Sequence, residues 1–82
     1  MEERIAIIAI IISDITQSAR LNELLSKYGQ FIIGRMGLPH QHIKDKELAL
    51  ISIAIKAPQN EISALSGKIG MLKGIQSKVI YA

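Results

Sequence analysis

The sequence predicts an α+β fold of ferredoxin-like βαββαβ topology, with a four-stranded antiparallel sheet and two helices packed on one face. Three observations predict it. Segments with strand-like and helix-like apolar spacing follow one another in the order strand, helix, strand, strand, helix, strand. The two most apolar strands, Ile5 to Ile12 and Leu48 to Ile55, are the first and third, which this topology pairs at the centre of the sheet. Both are apolar on each alternating face, Ser52 being the one polar interruption, whereas a strand with a wet face should alternate. With 82 residues the chain forms a single domain, spanning residues 1–82, whose two helices can cover only one side of the sheet.

The first strand, Ile5 to Ile12, is rich in β-branched Ile and far shorter than the ~20 apolar residues of a membrane-spanning helix. Ser13-Asp14-Ile15-Thr16 then leads into a helix over about Gln17 to Tyr28, marked by Leu21, Leu24, Leu25 and Tyr28 at helical spacing. Asp14 or Thr16 can cap it, and Gly29 can end it. A second strand runs from about Gln30 to Leu38, where Gly34 and Gly37 suggest a bulge, a bend or close approach of another backbone. Pro39 to Asp45 reads as a turn-like link to the third strand, about Lys46 to Lys56. Ala57-Pro58-Gln59-Asn60 stops that strand, with Asn60 or the residue before Pro58 as candidate caps for the second helix. Ile62, Leu65, Ile69 and Leu72 form its apolar stripe; Gly67 and Gly70 lower its propensity, and Gly67 is expected to permit close packing on the sheet. Gly74 closes this unit, and Ile75 to Tyr81 supplies the last strand with Ile75, Val79 and Tyr81 on one face.

Composition narrows the function. A hydrophobic fraction of 49% excludes disorder, and the absence of cysteine removes disulfides, thiolate metal sites and a thiol nucleophile, in keeping with a cytoplasmic setting. Ten Lys and Arg against seven Asp and Glu leave a net charge of +3, dispersed along the chain. No three basic residues stand in a row; a nucleic-acid surface can be assembled from distant residues, but this balance is also that of an ordinary soluble surface, and direct nucleic-acid binding is not the expectation. No membrane segment and no cofactor signature is present. Ser66-Gly67-Lys68 lacks the preceding glycines of a phosphate loop and falls within helical periodicity, so nucleotide binding there is rejected.

The sheet face left without helices is the main functional clue, because a large exposed apolar patch is unusual in a monomer. Ile5, Ile7, Ala9 and Ile11 share one face of the first strand, and Ala6, Ile8, Ile10 and Ile12 the other. Ile8, Ile10 and Ile12, with Gly34 and Met36, are taken as the interface of a homodimer or homotetramer. Ser13, Asp14, Ile15 and Thr16, at a helix start, and Arg35, a fixed donor for a carboxylate or phosphate, are the candidate ligand-binding residues. His40 and His42 are two imidazoles without nearby further ligands, which is too few to specify a metal site. No acid–base pair supports catalysis, so the chain is read as a non-enzyme.

The sequence resembles the ACT-like family of small proteins named as iron-only hydrogenase system regulators, related in fold to the ligand-binding domain of nickel-responsive repressors. The resemblance covers essentially the whole chain. Arg4 with the hydrophobic first strand, Leu21-Asn22-Glu23-Leu24-Leu25, Ile33-Gly34-Arg35-Met36-Gly37-Leu38-Pro39 and Ile62-Ser63-Ala64-Leu65-Ser66-Gly67-Lys68-Ile69-Gly70 before Gly74-Ile75 carry it. It implies a ligand-sensing regulator of a hydrogenase system that acts as a homo-oligomer through extended sheets, with a small-molecule effector and a regulatory protein as candidate partners. The nickel-responsive repressors' DNA-binding ribbon and His and Cys metal site find no counterpart in these residues. The competing reading is a structural protein-interaction module without an effector.

Overall fold

The computed structural model describes residues 2–82, with the side chains of Pro39 and His40 outside the described set. Six main elements follow in order: β1 (Glu3–Ile12), α1 (Ser18–Lys27), β2 (Ile32–Ile43), β3 (Lys46–Pro58), α2 (Gln59–Gly70) and β4 (Ile75–Tyr81). Short 3₁₀ turns at Ile15–Gln17 and Gly29–Phe31 bracket α1. The strands form one antiparallel sheet in the order β2–β3–β1–β4, so the two doubly apolar strands are its centre.

Strand parity decides which side chains the helices cover. On β1, Ala6, Ile8, Ile10 and Ile12 are buried, while Ile5, Ile7 and Ile11 between them are exposed. Their inward set meets Ile53, Ile55 and Ala57 of β3, Leu21 and Leu25 of α1, and Ile62, Leu65 and Ile69 of α2 in one core. All these core residues are apolar, and no buried side-chain polar atom among the described residues lacks a partner. The apolar stripes of both helices thus lie on one sheet face, as their spacing of three and four residues requires.

This packing corrects the assignment of Ile8, Ile10 and Ile12 to an interface. Ile8 is 0% exposed beneath the helices, and no second subunit can reach it without displacing them. The open face belongs to the other parity.

The loop between β2 and β3 also differs from expectation. Instead of ending at Leu38, β2 continues to Ile43, and only Lys44 and Asp45 turn the chain, with φ of 49° and 64°. Two central residues with positive φ match the twist of a two-residue hairpin. Pro39 reads as a strand breaker in the sequence; β2 is an edge strand, paired only with β3, and edges and bulges are where proline is tolerated. The register shifts by one residue between Ile32 and Gly34 and again between Leu38 and Gln41. Ile33 is the extra residue at the first shift, consistent with the expected bulge. An added Cβ at Gly34 would meet nothing within 4 Å, so close approach within the protomer is not its role.

Helix starts also depart from expectation. The Asp14 carboxylate caps the 3₁₀ turn Ile15–Gln17 rather than α1, whose N-cap is Gln17 with no side-chain cap bond. Helix α2 follows Pro58 directly, again without a side-chain cap. Gly67 does not serve the close packing its sequence context suggests, since an added Cβ there meets nothing within 4 Å. Gly74 has a structural reason: its φ is +73°, and a Cβ would lie 2.5 Å from the Asp14 Cβ.

Candidate functional site

Two surfaces stand out, one on each side of the β2–β3 edge. The first is a cleft of about 260 Å³ between the start of α1 and the hairpin. Ile12 and Leu21 line it from the core side, and Leu38, Leu50 and Ile51 from the hairpin. Its polar groups are Ser18, Asn22 and Arg35. Ser18 and Asn22 are four residues apart on α1 and so share a helix face. Arg35 lies opposite Ile53 in the sheet register, on the helix-covered side, and its Nη2 donates to Asn22 Oδ1 at 2.7 Å. Among the described residues no carboxylate lies within ion-pair distance of this guanidinium.

The Ser13–Thr16 segment does not join that cleft. Ser13 donates its backbone N–H and its hydroxyl to the carbonyl of Gly74, each at 2.8 Å, tying the end of β1 to the start of β4. The Asp14 carboxylate accepts from the Thr16 backbone N–H at 3.1 Å and from the Thr16 hydroxyl. Those two bonds, the hydroxyl's first, hold the Asp14 carboxyl below the usual carboxylate range. An ionised carboxylate committed to its own turn disfavours a bound anion there. Of the five candidate ligand residues, Arg35 lines this cleft and Ser13, Asp14, Ile15 and Thr16 do not.

The second surface is the open sheet face. Ile5, Ile7 and Ile11 of β1, Met36 and Leu38 of β2 and Ile80 of β4 are all exposed, Met36 at 69% and Ile80 at 66%. Cross-strand register sets them side by side, with Ile7 between Ala54 and Ile80, and Ile11 between Leu50 and Gln76. Ala9, Ile11, Met36, Leu38 and Leu50 border a shallow depression of about 310 Å³ in this face. Gly34 and Met36 lie on this face, together with the exposed Ile5, Ile7, Ile11 and Ile80, whereas Ile8, Ile10 and Ile12 lie on the other. The signal for the correct parity was Lys56, Ser52 and Lys78: they pair with Ile5 and Ala9, and two lysines and a serine mark the uncovered side.

His42 and Asp45 face each other across the hairpin turn at 3.9 Å, both exposed. The His40 side chain is outside the described residues. No group of three His, Cys, Asp or Glu poised for a metal occurs among the described residues.

The fold defines a ferredoxin-like α+β domain with one helix-covered and one open sheet face. Comparison with known families matches residues 4–79 to the TM1266-like family, described as "Iron-only hydrogenase system regulator, putative", and the chain belongs to that family. Among solved structures, the uncharacterized protein TM1266 from Thermotoga maritima is 32% identical, with a TM-score of 0.85 and 98% of each chain covered. Two structures of CPII from Thiomonas intermedia are similar in fold. The first, bound to ADP, AMP and acetate, has 16% identity, a TM-score of 0.60, and 100% of this chain and 92% of that chain covered. The second, of CPII described as a nitrogen regulatory PII-like protein and bound to ADP, AMP and bicarbonate, has 15% identity, a TM-score of 0.53, and 100% and 99% covered. At these identities the likeness is one of fold. None of the curated proteins compared matches the chain. No helix among the described residues is long and apolar enough to cross a membrane.

Proposed function

We propose that this chain is a non-enzymatic, ligand-sensing regulatory domain of the ACT-like kind, acting as a cytoplasmic homo-oligomer in the control of an iron-only hydrogenase system. One observation carries the reading: the open sheet face exposes Ile5, Ile7, Ile11, Met36, Leu38 and Ile80 together. An apolar face needs no opposite charge to pair with itself, so a second copy about a two-fold axis is a natural cover. Burial at about 25 cal/mol per Å² of apolar area would also offset the marginal stability of so small a domain. Membership of a family described as regulators supports the functional class. The CPII structures, with nucleotides and small anions bound, support a small-molecule input on this fold.

Adjacent substitutions on β1 test the assembly. Ile7→Lys, on the open face, should give a folded monomer by light scattering. Ile8→Lys, one residue on, should abolish folding, since an unpaired buried charge costs several kcal/mol. An Ile7→Lys protein that keeps the wild-type mass would contradict the placement of the interface. A thermal-shift screen of carboxylates, amino acids and nucleotides, ADP and AMP included, separates a sensor from an interaction module, which should respond to none.

A further inference from the structure

We propose that the cleft between α1 and the β2–β3 hairpin binds a small monocarboxylate with an apolar tail; this deepens the ligand-sensing reading and rests on it. The volume suffices, because an apolar cavity of about 150 Å³ already admits benzene and this one measures about 260 Å³. Its walls, Ile12 and Leu21 on one side and Leu38, Leu50 and Ile51 on the other, offer nothing polar to the far end of a ligand. At its rim Arg35 supplies a permanent positive charge on a planar fork suited to a carboxylate. Asn22 holds that fork by accepting at 2.7 Å, a neutral partner that positions the guanidinium without neutralising it.

The lining also says what the ligand lacks. Among the described residues no Asp or Glu lines the cleft, so an ammonium group there would find no counter-charge. That favours plain carboxylates over free amino acids. Gly37 leaves the space open: a Cβ added there makes ordinary contacts of 3.8 and 4.0 Å with the Leu50 carbonyl oxygen and the Ile51 side chain, and a longer side chain would occupy the cleft. Leu38, Leu50 and Ile51 border the cleft and the open-face depression alike, so an occupant would press on residues of the assembly surface. That gives a bound carboxylate a physical means of biasing assembly.

Hexanoate is the probe, followed by calorimetry and by amide shifts in nitrogen-15 NMR spectra, with acetate, hexylamine and leucine as comparators. Saturable hexanoate binding with shifts centred on Asn22, Arg35 and Gly37, at least tenfold tighter than any comparator, is expected. Arg35→Met should weaken it at least tenfold while melting like wild type, Arg35→Lys should retain part of it, and Gly37→Leu should block it with the charge intact. Equal binding of leucine or hexylamine, unchanged affinity in Arg35→Met, or no hexanoate binding to wild type would overturn the proposal. Sedimentation of the same samples reads assembly separately. An oligomer that responds to another ligand class in the thermal-shift screen, but not to hexanoate, defeats this inference and leaves the sensing reading in place.

Discussion

At single residues, local preference and structural need part at Gly67 and agree at Gly74. Gly67 occupies the interior of α2, where glycine costs about 1 kcal/mol relative to alanine, and nothing lies where its Cβ would be. Gly67→Ala should therefore stabilise the domain by about 0.5–1 kcal/mol, seen as a rise in melting temperature. Gly74→Ala should do the reverse, by about 2 kcal/mol or more, because left-handed backbone disfavours a side chain and Asp14 fills the space. The two glycines look alike in sequence, and only φ and the neighbouring chain separate them. Asp14 offers a pH test. Its folded-state pKa is lowered, chiefly by the Thr16 hydroxyl, so its contribution is present above the ordinary value of 3.8 and is lost as the pH falls through the folded value. Thr16→Val should raise the Asp14 pKa toward 3.8, as followed by carboxyl carbon NMR.

Among the elements, β4 and the apolar stripes of both helices were legible because each buries one clear set of side chains, while β1 was legible as a strand from its run of β-branched Ile but not in which set it buries. The hairpin was less so. Beyond the Ile12–Ala49 pair β3 has no β1 partner, and the outer part of β2–β3 stands as a two-stranded ribbon. Without a third strand or a helix above it, its pattern carries little burial signal, and a two-stranded ribbon has little stability of its own. Its turn also uses residues poorly suited to it. Lys44 and Asp45 hold positive φ where Asn-Gly is preferred. The double substitution Lys44→Asn, Asp45→Gly should steady the ribbon by about 1 kcal/mol, measured as slower hydrogen exchange at Ile43 and Lys46. Unchanged exchange would mean that the turn is not what limits the hairpin. The Arg35 cleft was half legible. Arg35 stands out as a cation beside two glycines, but its junction with Ser18 and Asn22 needs the sheet register and the seat of α1 together.

For the whole molecule, the central inference from sequence survives with its parity reversed. Doubly apolar strands do mean a sheet covered on one side by helices and apolar on the other. Yet alternation within β1 alone is symmetric, since Ile5-Ile7-Ala9-Ile11 and Ala6-Ile8-Ile10-Ile12 are equally apolar, and the tie is broken by the packing and by Lys56, Ser52 and Lys78 on the strands that pair with it. The open face joins β1, β2 and β4 into a single surface, and the cleft shares three of its walls with a depression in that surface. Assembly and ligand capture would thus be linked through the β2–β3 hairpin. The most direct test is sedimentation velocity of the wild-type protein across a micromolar concentration series. The account predicts a dimer or a larger closed oligomer throughout; a species that remains strictly monomeric, with its open face in water, would contradict it.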